Sequence, residues 1–341
     1  MTEEEARSLA RRAFAGLGLG ESDAADAAEI LLLGDLFGHH THGLSRIESY
    51  GERIELGGID PAARVGVEQV GAALARIDGV NGVGPVVGMR ALRCAMELAR
   101  AGGVGLALAR HSNHFGAIAP YCHLAAQQGF ASIIGSNATT TIAPTGGSQA
   151  RLGNSPLGFG VPHPGGEPII LDMAMSVVAR AKIREALKRG EAIPEAWATD
   201  REGRPTTDPR AALEGFLQPI GGYKGYGLAL VVDLFAGLLS GASYLTHVKS
   251  WSEEPGAPQD LGHFFLLVDT ERLGSTDWLR ERMQDFAGIL RSTPPSDPRQ
   301  PVMLPGEREH AALARQRRAG VELEGAVVAK LEAFAARAAR A

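Results

Sequence analysis

The chain has 341 residues, 45% hydrophobic and 21% charged, with Lys+Arg 34 against Asp+Glu 39 for a formal net charge of -5. This is the make-up of a globular protein with a large core and length for about two domains, and the absence of a basic block argues against nucleic acid or an acidic membrane surface as partner. The start, Met1-Thr-Glu-Glu-Glu-Ala-Arg7, has neither the basic region nor the apolar stretch of a secretory signal, and no apolar run is long enough to span a bilayer, so a cytoplasmic protein with no membrane partner is expected.

In chain order, apolar periodicity predicts helices over Glu3–Ala15 and Ser22–Phe37, separated by a Gly-Leu-Gly break. Gly38-His-His-Thr-His-Gly-Leu-Ser-Arg-Ile-Glu-Ser-Tyr50 follows. With Thr41 as cap of a third helix that Gly57-Gly58 ends, His42, Arg46 and Tyr50 fall at i, i+4 and i+8 and share one face. Such a face offers an acid/base, a cation suited to carboxylate and a hydroxyl. A surface histidine cluster with a structural arginine fits the same residues. From Ala72 the texture changes to short apolar strands, expected at Ala73–Ile77, Val104–Ala109, Ser132–Ile134, Ile169–Leu171 and Phe264–Val268, with helices at Val86–Ala101, Ser176–Lys188 and Gly227–Ser240. Cys94 and Cys122 lack metal-type spacing and read as packing residues in a reducing compartment. Gly190–Pro219 reads as a long surface excursion; Ser292–Pro305, with five prolines, precedes helices near Glu307–Arg318 and Glu324–Arg340. The fold class is α/β: a mixed body with a helical cap.

Three of the expected strands run into polar residues. Val104–Ala109 leads to Arg110-His-Ser-Asn-His114, Ser132–Ile134 to Gly135-Ser-Asn137, and Ile169–Leu171 to Asp172-Met173-Ala174. Ligand sites of open α/β sheets lie outside the carboxyl ends of strands, so the coincidence marks a cleft, although a buried, hydrogen-bonded histidine is the commoner fate of a lone residue such as His114. Gly221-Gly-Tyr-Lys224-Gly-Tyr-Gly227 opens an apolar helix and suits either a phosphate or carboxylate, held by amides and Lys224, or a structural turn. It lacks P-loop spacing. Gly82-Val-Gly84-Pro-Val-Val-Gly88 imitates a dinucleotide fingerprint, but its third glycine comes one residue late, Pro85 sits inside it, and no acidic residue follows about 20 positions on. For zinc, His39, His40, His42, His111 and His114 lack an HExxH motif, a cysteine pair and a spaced acidic partner; for Ser-His-Asp hydrolysis there is no G-x-S-x-G elbow. No metal is expected.

Taken in order, Gly38-His-His-Thr-His-Gly-Leu-Ser-Arg46, Ser112-Asn-His-Phe-Gly116, Gly153-Asn-Ser-Pro156, Leu171-Asp-Met-Ala174, Pro205-Thr-Thr-Asp208, Gly221-Gly-Tyr-Lys-Gly-Tyr-Gly227 and Pro305-Gly-Glu307 resemble the malate/L-lactate/L-sulfolactate dehydrogenase family across nearly the whole chain. The resemblance implies a nicotinamide-dependent oxidoreductase with an NAD(P)-binding domain of non-Rossmann type and a helical domain built from both chain ends. We place the α/β domain at 71–289 and the helical one at 1–70 with 290–341. It further implies a homodimer with active sites where the subunits meet, His114 as proton acceptor, His42 with Thr41 as an assisting pair, and Arg46 on the substrate carboxylate; Tyr50, on the face it shares with His42 and Arg46, is expected to bind substrate as well. His114, Asp172, Met173, Ala174, Lys224, Pro305, Gly306 and Glu307 are then expected along the cofactor, NAD before NADP.

Thr41 stands where the family usually has serine, and Lys182 where the cyclic-imine reductases have an aspartate. The expected substrate is therefore a small 2-hydroxy or 2-oxo acid, malate- or lactate-like. The alternatives are an NADPH-dependent reductase of a 2-oxo acid or cyclic imine, or a non-catalytic binding protein on the same fold.

Overall fold

The computed structural model describes residues 1–338. Helices α1 (Glu3–Gly16) and α2 (Glu21–Leu36) open the chain, and Thr2 caps α1 in a reciprocal box with Glu5. Next come α3 (Ile47–Glu55), β1 (Gly66–Gly71), β2 (Leu74–Asp78), α4 (Gly84–Gly102), β3 (Val104–Ser112), α5 (Ala119–Gln127) and β4 (Phe130–Ser136). The short pair β5 (Thr140–Ile142) and β6 (Leu152–Gly153) precedes β7 (Leu157–Val161) and β8 (Ile169–Met173). After α6 (Arg180–Arg189), α7 (Pro209–Glu214) and α8 (Tyr223–Asp233), strand β9 (Leu261–Asp269) re-enters the sheet, and α9 (Thr276–Arg291), α10 (Glu307–Ala319) and α11 (Gly325–Ala338) finish the described chain. The expected C-terminal helix reached Arg340, whose position lies outside the described residues.

Seven strands form one mixed sheet in the order β1-β2-β3-β9-β4-β7-β8. Only β2 and β3 pair in parallel; every other pairing is antiparallel. Following the directions across the sheet, β3, β4 and β8 all point the same way, so their carboxyl ends share one edge. The N-terminal end of β9 arrives at that edge too, carrying the chain from about residue 250 with it.

All five expected strands are present, and four were not anticipated. β1 is exposed along its whole length, so it lacks an alternating burial pattern, and β5 and β6 are very short. β7, Leu-Gly-Phe-Gly-Val, is rich in glycine for a packing reason: a Cβ on Gly158 would run into Ile118, and one on Gly160 into Cys122, so the bare backbone lets α5 lie against the sheet. Gly84 in the false fingerprint is explained in the same way, since a Cβ there would overlap the His114 carbonyl. Gly84 thus serves close packing of α4 on the His114 segment.

Two expected helices begin elsewhere. α6 starts at Arg180, and α8 starts at Tyr223 and passes into a π-helical turn, Leu234–Leu239. The excursion over 190–219 holds α7 and a 3-10 turn at Glu195–Trp197. β1 runs across the domain limit placed at 70/71 and α9 across that at 289/290, while a single apolar core joins α1 and α2 to α4, α5 and the sheet. The chain ends do meet, because α1 packs on α11.

Candidate active site

The segment expected as one helix from His42 is instead two 3-10 turns, His40–His42 and Leu44–Arg46, with α3 beginning only at Ile47. Asp35 explains the break. Buried under the turns, its carboxylate accepts from the Leu44 amide at 2.7 Å and pairs with His40 Nδ1 at 3.0 Å, and it occupies the place a Cβ on Gly43 would need. Gly43 is extended, and burial pushes the Asp35 carboxyl up to about 6. Thr41 accordingly caps no helix; its hydroxyl sits 3.0 Å from His42 Nδ1.

Despite the broken helix, His42, Arg46 and Tyr50 converge on His114. The His42 and His114 ring centroids are 5.5 Å apart, and the Tyr50 hydroxyl lies 2.8 Å from His114 Nδ1. Trp251, which sequence reasoning missed, stacks on His114 at 5.3 Å between centroids and carries the Arg46 guanidinium 4.6 Å from its own. Arg46 Nε donates to the Thr41 carbonyl, which leaves the outer guanidinium nitrogens available to a ligand. Burial, with Arg46 second, pushes the His42 imidazole down to about 4; the same causes hold His114 well below the ordinary histidine range. Both rings are thus neutral at pH 7.

Arg53 supports this cluster from below. Only 1% exposed, it donates to Asn113 Oδ1 and Gln259 Oε1 and to the carbonyls of Gly58, Pro255 and Ala257, tying α3 to the loop that enters β9. Gln259 also accepts from the His114 amide at 3.3 Å. Arg53→Ala leaves several buried acceptors without a donor and should cost about 3 kcal/mol or more, read as a lower urea midpoint; an unchanged midpoint would contradict this anchoring.

The remaining histidines disperse. His40 pairs with Asp35, and His111, at positive φ in the bulge that ends β3, pairs with Asp78 at 2.9 Å. Among the described residues, no group of three or more His, Cys, Asp or Glu side chains is placed to hold a metal ion.

Asp172 ends β8, and one of its oxygens accepts from the amides of both Ile118 and Ala119 at 2.8 Å, capping α5. His39 and Glu309 lie close enough to influence its charge, and His39 Nε2 is buried without a partner. At the opposite end of β8, Ile170 donates to the Pro305 carbonyl, and Gly306 takes positive φ to start α10, whose Glu307 side chain accepts from Leu304. Asp172, Met173 and Ala174 therefore line one end of β8, and Pro305, Gly306 and Glu307 the other. Gly221 and Gly222 both adopt positive φ before α8, and Lys224 is exposed with no ion-pair partner among the described residues. Among the described residues, Lys224 makes no hydrogen bond or ion pair with the His114 cluster.

A family model described as malate/L-lactate dehydrogenase matches residues 1–332. The chain belongs to that family. Malate dehydrogenase of Pyrococcus horikoshii is 33% identical over 334 residues, covering 96% of this chain and 92% of its own, and a solved structure of malate dehydrogenase from that organism superposes with a TM-score of 0.87 at 31% identity, covering 99% and 95% of the two chains. (2R)-3-sulfolactate dehydrogenase (NADP(+)) of Chromohalobacter salexigens is 35% identical over 331 residues, 97% of this chain and 96% of its own. Ureidoglycolate dehydrogenase (NAD(+)) of Escherichia coli is 31% identical over 322 residues, 94% and 91%. This chain is an oxidoreductase of that family.

Proposed function

We propose that the enzyme moves a hydride between a nicotinamide cofactor and a small malate- or lactate-like 2-hydroxy or 2-oxo acid. His114 exchanges the proton, His42 with Thr41 assists, and Arg46 grips the carboxylate. The carrying observation is the shared Trp251 ring, which has the His114 imidazole stacked on it and the Arg46 cation over it. A 2-hydroxy acid has its carboxylate and carbinol on adjacent carbons, so it needs a cation and a proton acceptor side by side. The relatives' names, spanning malate, sulfolactate and ureidoglycolate, support this substrate class.

The cofactor supplies the hydride-accepting ring when bound. The residues present fit it: the unpartnered, buried His39 Nε2 beside Asp172, and the uncapped start of α8 with Lys224 for the phosphates. Asp172 to Ala174 and the Pro305 to Glu307 turn would hold it along β8, from one end of the strand to the other. We place NAD ahead of NADP, and relatives with each name make that choice the first variable to test. The cytoplasm is the proposed compartment, where the buried free thiols of Cys94 and Cys122 remain reduced. The deciding experiment is absorbance at 340 nm with malate, lactate, sulfolactate, ureidoglycolate and their oxo forms, each with both cofactors and excess chelator. No turnover with any of them would overturn this substrate class.

We also propose a homodimer. Leu228, Val231, Leu234, Phe235, Leu238 and Leu239 are exposed along α8 and its π-helical continuation, an apolar face of the kind that a second copy covers. Leu238→Asp, at a residue 50% exposed, should give monomers by light scattering at micromolar concentration, with loss of activity. A variant that stays dimeric would move the interface elsewhere; an active monomer would refute a shared site.

A further inference from the structure

Tyr50 has no exposed surface, and its hydroxyl oxygen lies 2.8 Å from two atoms of the same residue, His114 Nδ1 and the His114 carbonyl oxygen. A phenol has one proton to give. Burial raises its pKa far above the ordinary tyrosine value, so that proton stays in place at any pH at which the enzyme works. The carbonyl oxygen accepts only. If Nδ1 were bare, two buried acceptors would compete for one hydrogen, and one of them would face the phenol oxygen's lone pairs at 2.8 Å. If Nδ1 carries the proton, both distances are hydrogen bonds: Nδ1–H donates to the Tyr50 oxygen, and the Tyr50 O–H donates to the carbonyl.

We infer that Tyr50 is a positioning residue that fixes the His114 tautomer, with the proton on Nδ1 and the lone pair on Nε2, the atom that takes the substrate hydroxyl proton. This rests on the reading of His114 as the acid/base. No protein group among the described residues bonds His114 Nε2, which leaves that lone pair to the substrate. The two bonds also close a loop from the ring back to its own backbone, so imidazole orientation and main chain are held as one unit.

The usual orienting partner of a catalytic histidine is a carboxylate. Among the described residues none takes part. The charged and titratable groups that act on His114 are Arg46 and His42 from the 3-10 turns, Arg53 from α3 and His263 from β9. A neutral phenol orients the ring without adding negative charge, so the ring stays a weak base in the free enzyme and its conjugate acid is correspondingly strong in the reduction direction. An anionic substrate on Arg46 would offset part of the positive surroundings and raise the affinity of Nε2 for a proton once the site is filled.

The test has two arms. Nitrogen-15 NMR of the histidine-labelled wild-type enzyme at pH 7.5 should show the His114 ring protonated at Nδ1; a ring protonated at Nε2 overturns the inference outright and needs no variant to fold. In Tyr50→Phe, kcat should fall roughly 10-fold to 100-fold, less than the roughly 100-fold to 10,000-fold of losing a general acid–base group because the base itself remains, with cofactor affinity retained. Loss of the acceptor that stabilises imidazolium should also move the acid limb of kcat/KM to lower pH, which a merely structural role would not do. Wild-type kinetics and an unmoved limb in Tyr50→Phe would overturn it as well. An active His114→Ala would instead remove the acid/base reading on which the inference stands, so the two failures are distinguishable.

Discussion

Alanine in place of His114 lowers kcat by about 100-fold to 10,000-fold and leaves cofactor binding in place. The expectation follows from where the ring is held: clasped by Tyr50, stacked on Trp251 and next to His42, in a cluster with no metal-type grouping among the described residues. Burial and the neighbouring Arg46 keep the imidazole neutral well below the ordinary histidine pKa of 6.5. In the oxidation direction a neutral ring is the active form, so the acid limb of kcat/KM that belongs to the free enzyme should lie below pH 6.5. Reduction needs the protonated form and should weaken as pH rises. Single-turnover rates in His114→Ala, with nucleotide titration as control, decide the role. Near-normal turnover would pass it to His42, whose pKa of about 4 would then set the acid limb.

Five of the sheet's seven strands were legible as apolar runs, and three of them, β3, β4 and β8, run on into polar residues. Those endings, at His114, Asn137 and Asp172, share an edge because β9 and β7 run antiparallel between β3, β4 and β8. The cluster was legible for a partly different reason. His42, Arg46 and Tyr50 do converge, but a helical period was the wrong warrant: Asp35, buried in α2, breaks the backbone at Gly43 and sets the turns that aim His42 and Arg46. An aspartate in an apolar stripe, Leu33-Gly-Asp35-Leu, was the available signal. Trp251 and Gln259 carried none. They lie more than a hundred residues from His114 and reach it only through the order of strands in the sheet, which no local pattern encodes. Asp172 was read as a cofactor residue from the resemblance of Leu171-Asp-Met-Ala174 to the family; its side chain also holds the start of α5, so removing it would test packing and binding together.

Arg46→Lys should lower kcat/KM for a 2-hydroxy acid by about 10-fold to 100-fold, the range expected when a charged, two-bond contact is lost at roughly 1.5–3 kcal/mol. Charge is conserved in this variant, so any loss reports geometry. A lysine ammonium offers donors from one point and cannot spread its contact across both carboxylate oxygens, nor lie as a plane 4.6 Å from the Trp251 centroid. The Arg46 Nε also holds the Thr41 carbonyl, and Thr41 in turn touches His42, so part of any loss could come from a disturbed turn. A substrate analogue without the carboxylate separates the two. If Arg46 is the clamp, the wild-type enzyme handles that analogue poorly and Arg46→Lys handles it no worse. If the arginine only props up the turn, the variant loses the same factor on both compounds. Equal kcat and KM for wild type and Arg46→Lys on the full substrate would remove the clamp altogether.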